Sequence, residues 1–215
     1  MKAVDRGRFI TLEGGEGAGK STQAKRLAER IRALGDEVVL TREPGGSPGA
    51  EALRNLLLQG EADRWSATAE TLLMYAARAD HLERTIRPAL ARGAWVICDR
   101  FMDSTRAYQG AAGGASAALI DQLERSVVAG DRPDLTLVFD LPAETGLRRA
   151  LARGGAEARF EAKGASFHRL LREDFLAIAA QDPQRCRVID ARPNPDAVAE
   201  SVWAAVSRHF AVEPA

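Results

Sequence analysis

Several things are scarce in this chain, and each shortage excludes something. Of its 215 residues only Cys98 and Cys186 are cysteines, which rules out a small disulfide-stapled scaffold. Each sits in an apolar run (Trp95-Val96-Ile97-Cys98 and Cys186-Arg187-Val188-Ile189), so both read as small core residues in a reducing compartment. Histidine occurs three times, at His81, His168 and His209, within predicted helices and without a second ligand at metal spacing; these are expected to be structural. Excess charge is missing too. Thirty basic residues meet thirty acidic ones, so the net charge is zero and there is no bulk basic field for gripping nucleic acid. No apolar run approaches the roughly 20 residues that span a bilayer. The first residues lead directly into Phe9-Ile10-Thr11-Leu12 without the apolar segment and cleavage site of a signal peptide. The expectation is a cytoplasmic protein with neither nucleic acid nor membrane as partner, whose anionic ligands are held locally.

What is present is a globular mixture, 46% hydrophobic and 28% charged, long enough for one domain over residues 1–215. Short apolar runs alternate with segments of helical period, the pattern of a parallel sheet covered by helices on both faces. Five strands are predicted, at Phe9 to Glu13, Glu37 to Arg42, Trp95 to Asp99, Leu135 to Asp140 and Arg187 to Ala191. Ala24, Leu27, Ala28, Ile31 and Leu34 form one amphipathic stripe, and Phe167, Leu170, Leu171, Phe175 and Ile178 another. Further helices are expected at about 49–59, 66–91, 116–129, 143–153 and 195–209. Trp65, Trp95 and Trp203 read as packing residues. One segment breaks the rhythm: from Arg153 to Ala165, Gly154, Gly155 and Gly164 surround Arg159 and Lys163, which predicts a flexible basic lid.

Gly14-Gly15-Glu16-Gly17-Ala18-Gly19-Lys20-Ser21 fits the phosphate-loop pattern and lies between a predicted strand and a predicted helix. In such a loop, backbone N–H groups and the positive end of the helix cradle the phosphates of ATP, the lysine bridges the β- and γ-phosphates, and the serine hydroxyl serves Mg²⁺. Asp99, a carboxylate at the end of the third predicted strand, is well placed to orient the metal and its waters. GTPases, motor ATPases and small-molecule kinases all use this loop. The chain has no Asn-Lys-x-Asp stretch for reading guanine and is short for a motor, while arginines and carboxylates near strand ends suit a second anionic substrate.

Beyond the loop, Thr41-Arg42-Glu43-Pro44-Gly45-Gly46, Tyr75-Ala76-Ala77-Arg78, Asp99-Arg100-Phe101, Ala107-Tyr108-Gln109-Gly110 and Pro133-Asp134-Leu135-Thr136 follow in order. Together with Phe9 to Ser21 and the lid-like Arg153 to Glu161, these motifs resemble bacterial thymidylate kinase over nearly the whole chain. The resemblance implies a nucleoside monophosphate kinase fold, a homodimer, and transfer of the γ-phosphoryl of ATP to dTMP with Mg²⁺. It implies that Arg100 and Arg54 hold the acceptor phosphate and that Glu16 faces the 3′-hydroxyl of the acceptor sugar. Arg153 and Arg159 would be lid arginines closing over ATP, replacing a loop arginine that one subgroup carries where this chain has Gly17. Arg78, Thr105 and Gln109 would bond thymine, and Tyr108 would leave no room for a 2′-hydroxyl. Met74 stands where the family commonly has a phenylalanine stacked on the base. A kinase for another deoxynucleoside monophosphate, and a non-catalytic ATP-dependent regulator, are the alternatives.

Overall fold

The computed structural model describes residues 6–61, 63–153, 158–161 and 163–212. Five parallel strands, β1 (Phe9–Gly14), β2 (Val38–Arg42), β3 (Trp95–Asp99), β4 (Leu135–Asp140) and β5 (Cys186–Asp190), form one sheet in the order β2-β3-β1-β4-β5. The inner strands β1, β3 and β4 are buried on both faces because alternate residues feed two cores, whereas the edge strands β2 and β5 are partly exposed. On β1 and β3, Ile10, Leu12, Trp95 and Ile97 pack against α1 (Lys20–Ala33) and α10 (Pro195–Phe210), through Leu27, Ile31, Val202 and Trp203. Phe9, Val96 and Cys98 face the other way, toward Tyr75, Leu82, Ile86 and Leu90. Both cysteines are buried and unbridged.

The helix expected over 66–91 is continuous but not uniform. α3 (Ala67–His81) passes through a π-helical turn at Leu82–Ile86 into α4 (Arg87–Ala91). It starts where Ser66 accepts a hydrogen bond from the Ala69 N–H at 3.2 Å, an N-cap that satisfies one orphan donor. α2 (Pro48–Leu58) lies beside it. A further helical segment, α5 (Met102–Thr105) running into a π-helical turn at Arg106–Ala111, has no counterpart among the sequence expectations. Every residue of α5 is buried, so no polar face marks a period. α6 (Ala117–Val127), α7 (Ala143–Arg153) and α9 (Ala165–Gln181) complete the layers, with a single turn, α8 (Ala158–Glu161), in the segment expected to form a lid.

β1 is the point where the strand order reverses, with β3 on one side and β4 on the other. In open parallel sheets the crevice beyond the carboxyl ends of the strands at such a switch point is where ligands bind. The phosphate loop leaves β1 there.

Candidate active site

The loop turns from β1 into α1 and is closed on its outer side by α7. Gly17 has a φ of +65°, and a Cβ there would come within 2.1 Å of the Gly146 carbonyl oxygen on α7. No side chain fits at that position, so an arginine at 17 is excluded by packing. Lys20 lies along the loop, its Nζ donating to the carbonyls of Gly14 at 3.0 Å and Gly15 at 2.7 Å. At the foot of α1 the Ser21 hydroxyl donates to Asp99 Oδ2 at 2.5 Å, joining helix to strand end. Asp99 Oδ1 is buried without a partner among the described residues. A hydroxyl oxygen and a carboxylate with one oxygen unspent are hard donors of the kind Mg²⁺ takes, directly or through water, so these residues fit the ion. Arg149 of α7, to which the sequence motifs drew no attention, donates to the Ala191 carbonyl at 3.4 Å and packs against Gly17.

Beyond Asp99 the chain turns sharply, with Arg100 at φ +71°, a left-handed conformation that is strained for a residue of this size. Glu13, fully buried at the end of β1, pins the turn by accepting from the Phe101 N–H at 2.8 Å and the Ser104 hydroxyl at 2.5 Å. The turn aims the Arg100 guanidinium back over the phosphate loop. Its Nη1 donates to the Gly14 carbonyl at 3.0 Å and to Ser104 Oγ at 3.3 Å, while Nη2 pairs with the Glu16 carboxylate. Glu16 also accepts from the Tyr108 hydroxyl at 2.7 Å. Burial alone would raise the Glu16 carboxyl, but Arg100 and Lys20, helped by Tyr108, hold it below its usual value. The negative charge inside the phosphate loop is therefore turned away from the donor side and compensated there.

Glu16 and Arg100 form one wall of a cavity completed by Glu43, Pro44, Leu58, Met74, Arg78, Ser104, Tyr108, Gln109 and Phe160. Six residues predicted for the acceptor (Glu16, Met74, Arg78, Arg100, Tyr108 and Gln109) thus come together. Two predicted residues lie outside the lining. Thr105 is buried and its hydroxyl accepts from Arg78 Nη2 at 2.9 Å, so it positions Arg78 and does not face the cavity. Arg54 donates to the Pro44 carbonyl at 2.8 Å, at the rim. Glu43, which the motifs contain without an assigned role, anchors Arg78 through Nε at 2.8 Å and accepts from His81 Nδ1 at 3.0 Å. Burial would lower the Arg78 guanidinium, yet Glu43 holds it above its usual value. Arg78 Nη1 is buried with no partner among the described residues, a charged donor at the cavity wall.

Arg159, expected as a lid arginine over ATP, here rests against α2 and α3: only 3% exposed, it pairs with Glu70 at 2.5 Å and donates to the carbonyls of Leu57 and Glu61, each at 3.0 Å. The Leu57 carbonyl is in the last turn of α2, at its negative end, and Glu61 follows just beyond it, which favours a guanidinium there. Its neighbour Phe160 meets Tyr108 edge to face at 5.7 Å and closes the cavity. Arg153 ends α7, but its side chain and residues 154–157 lie outside the described part of the structure. No group of three or more His, Cys, Asp or Glu residues able to hold a metal occurs among the described residues.

Comparison with known proteins agrees with this arrangement. The thymidylate kinase family model matches residues 12–202. Thymidylate kinase of Caulobacter vibrioides is 64% identical over 204 residues, covering 95% of this chain and 96% of that protein. The enzyme of Nitrobacter winogradskyi is 56% identical over 203 residues, covering 94% and 88%. A crystal structure of thymidylate kinase from Ehrlichia chaffeensis superposes with a TM-score of 0.77 at 34% identity, covering 94% of this chain and 99% of that one. The phosphate loop, the left-handed Arg100 turn and the walled cavity beside them are those of a chain that belongs to the thymidylate kinase family.

Proposed function

We propose that the protein transfers the γ-phosphoryl group of ATP to the 5′-phosphate of dTMP, giving dTDP and ADP. The observation that carries this reading is the shared wall: Glu16 of the phosphate loop and Arg100 beside it line the acceptor cavity directly. An acceptor monophosphate has a second pKa of about 6, so near neutrality it is mostly dianionic and attacks without a protein base. One of its oxygens bonds to the γ-phosphorus as the bond to the β–γ bridging oxygen breaks, and ADP departs with that electron pair. What remains for the protein is to hold two polyanions in line and to offset their repulsion.

Lys20 and the loop N–H groups would take the donor phosphates, with the Nζ moving from the carbonyls of Gly14 and Gly15 to the β- and γ-oxygens. Arg100, a planar fork already oriented by Gly14 and Ser104, would take the acceptor phosphate, with Arg54 at the rim as a second cation. Mg²⁺, held by Ser21 and oriented by Asp99, would supply charge neutralisation at the donor phosphates. On the base side, Arg78 Nη1 gains the partner it lacks when a pyrimidine carbonyl enters, with Met74 and Phe160 against the ring. Arg153 is proposed, from the family resemblance, as a lid residue serving the donor phosphates. A homodimer is supported by exposed Leu56 and Leu72 on the neighbouring helices α2 and α3. No helix of the described residues is long and apolar enough to cross a membrane, in keeping with the proposed cytoplasmic location.

The test is ADP release with dTMP, dUMP, dCMP or dGMP as separate acceptors. Turnover with dTMP supports the reading; ATP binding without transfer to any of them would favour a regulator, and preference for another acceptor would make it a different monophosphate kinase.

A further inference from the structure

Gln109 could offer the acceptor cavity either end of its amide, and which end it offers decides which bases it accepts. The choice is made from behind. Glu70, 4% exposed on α3, accepts from Gln109 Nε2 at 2.9 Å through Oε1, while its Oε2 is held by Arg159 at 2.5 Å. A carboxylate paired with a guanidinium only accepts, so the amide nitrogen of Gln109 must face Glu70. Gln109 is 1% exposed and lines the cavity, which leaves its carbonyl oxygen as the group presented there. Arg78 Nη1, buried and unpartnered among the described residues, presents a donor in the same cavity.

We propose that Glu70 is a specificity-determining positioning residue, which locks the Gln109 amide with its oxygen toward the base and so sets the cavity for a carbonyl beside a ring N–H. Thymine has that edge. Cytosine carries the reverse, an amino donor beside a bare ring nitrogen, and would set its amino group against Arg78 Nη1 and its nitrogen lone pair against the Gln109 oxygen. This inference rests on the dTMP reading of the same cavity and adds a residue that does not line it. Glu70 acts on the substrate through Gln109 alone.

The experiment is steady-state kinetics of the full chain with dTMP and dCMP, for wild type, Glu70→Gln and Gln109→Met. A glutamine at 70 can accept or donate, so the Gln109 amide is released. The ratio of kcat/KM for dTMP to that for dCMP should then fall by about tenfold or more, mainly through KM. Gln109→Met removes the presented oxygen and should lower the same ratio, and adding Glu70→Gln to it should lower the ratio no further. If Glu70→Gln does not fold, Glu70→Asp, which withdraws the carboxylate by one methylene, is read the same way. Loss of activity toward both acceptors in proportion, with the ratio unchanged, would make Glu70 merely structural and overturn the proposal. Wild-type protein inactive on dTMP would instead overturn the functional reading itself, so the two failures are distinct.

Discussion

The Tyr108 hydroxyl donates to Glu16 Oε1 at 2.7 Å, tying the π-helical turn that walls the cavity to the phosphate loop. Tyr108→Phe removes the donor and leaves the ring in its edge contacts with Phe160 and Phe175. Glu16 keeps its Arg100 pair, so the fold should hold and dTMP KM should rise severalfold, by about the 0.5 to 1.5 kcal/mol of one hydrogen bond. Titration calorimetry with dTMP checks it; unchanged affinity would detach Tyr108 from the sugar side of the cavity.

Lys20→Ala should cut turnover by about 10²- to 10³-fold, since the transferring phosphoryl loses a preorganised charge worth about 2.7 to 4 kcal/mol in comparable sites. The side chain bonds the carbonyls of Gly14 and Gly15, so a melting curve should accompany the rate. Turnover within threefold of wild type would place phosphoryl stabilisation elsewhere.

Glu13 sets a pH dependence of stability. Burial, and then the Asp103 charge, push its carboxyl up to about 7, against the opposing effect of the Ser104 hydroxyl bond. A folded-state pKa above the unfolded value means that the folded chain binds more protons between about 4.5 and 7. The Glu13 contribution to stability is therefore present below the lower value and lost as pH rises through the upper one. Glu13→Gln abolishes that titration, so the Tm of the variant minus that of wild type should grow from about pH 5 to about pH 8. A constant difference over that range would show that Glu13 does not titrate there.

Arg159→Ala leaves the Glu70 carboxylate buried and uncompensated, a change that typically costs about 3 to 5 kcal/mol. Its Tm should drop well below that of a variant at exposed Arg208, and turnover should fall more than dTMP affinity if the lid also serves the transfer step. Wild-type turnover in both Arg159→Ala and Arg153→Ala would remove the lid arginines from the chemistry.

Met74 lines the cavity and packs with Tyr108 and Phe160. Sulfur–aromatic contacts contribute about 0.3 to 1.5 kcal/mol and aromatic pairs about 0.5 to 1.5, so Met74→Phe should shift dTMP affinity by less than about tenfold. Met74→Ala should raise the dTMP KM more. A lowered Tm with an unchanged KM would return Met74 to the core.

What could be read from the chain follows burial and locality. β3 appears where expected because Trp95 to Cys98 are all buried, so the run is uninterrupted. β5 lies at the sheet edge with Arg187 and Val188 partly exposed, and its expected span, Arg187 to Ala191, is displaced by one residue from the observed Cys186–Asp190. The segment from Met102 to Ala111 was missed because it buries Asp103, Thr105 and Gln109 alongside apolar residues, which erases the periodic signal. Most residues that line the cavity stand in short motifs, but those motifs carry no sign of how the side chains are oriented. Thr105 turns to Arg78, and Arg159 finds its acceptors at Leu57, Glu61 and Glu70, some hundred residues away in the chain, where no local pattern announces them. Glu70 itself has no motif; it reads as an ordinary first-turn acid on a helix.

One short stretch of backbone, from Gly14 to Lys20, touches both halves of the reaction: its carbonyls orient Arg100 and Lys20, and its Glu16 side chain reaches into the acceptor cavity. On the proposed reaction, the spacing between donor and acceptor phosphates would be a property of a few consecutive peptide units seated on the central strand, and not of how far apart two mobile lobes happen to stand. With both reactants held against that one stretch, the collinear approach that transfer demands would depend on a single rigid seat. A hinge mutation far from the sheet should therefore change how often substrates arrive more than how well they are aligned once there.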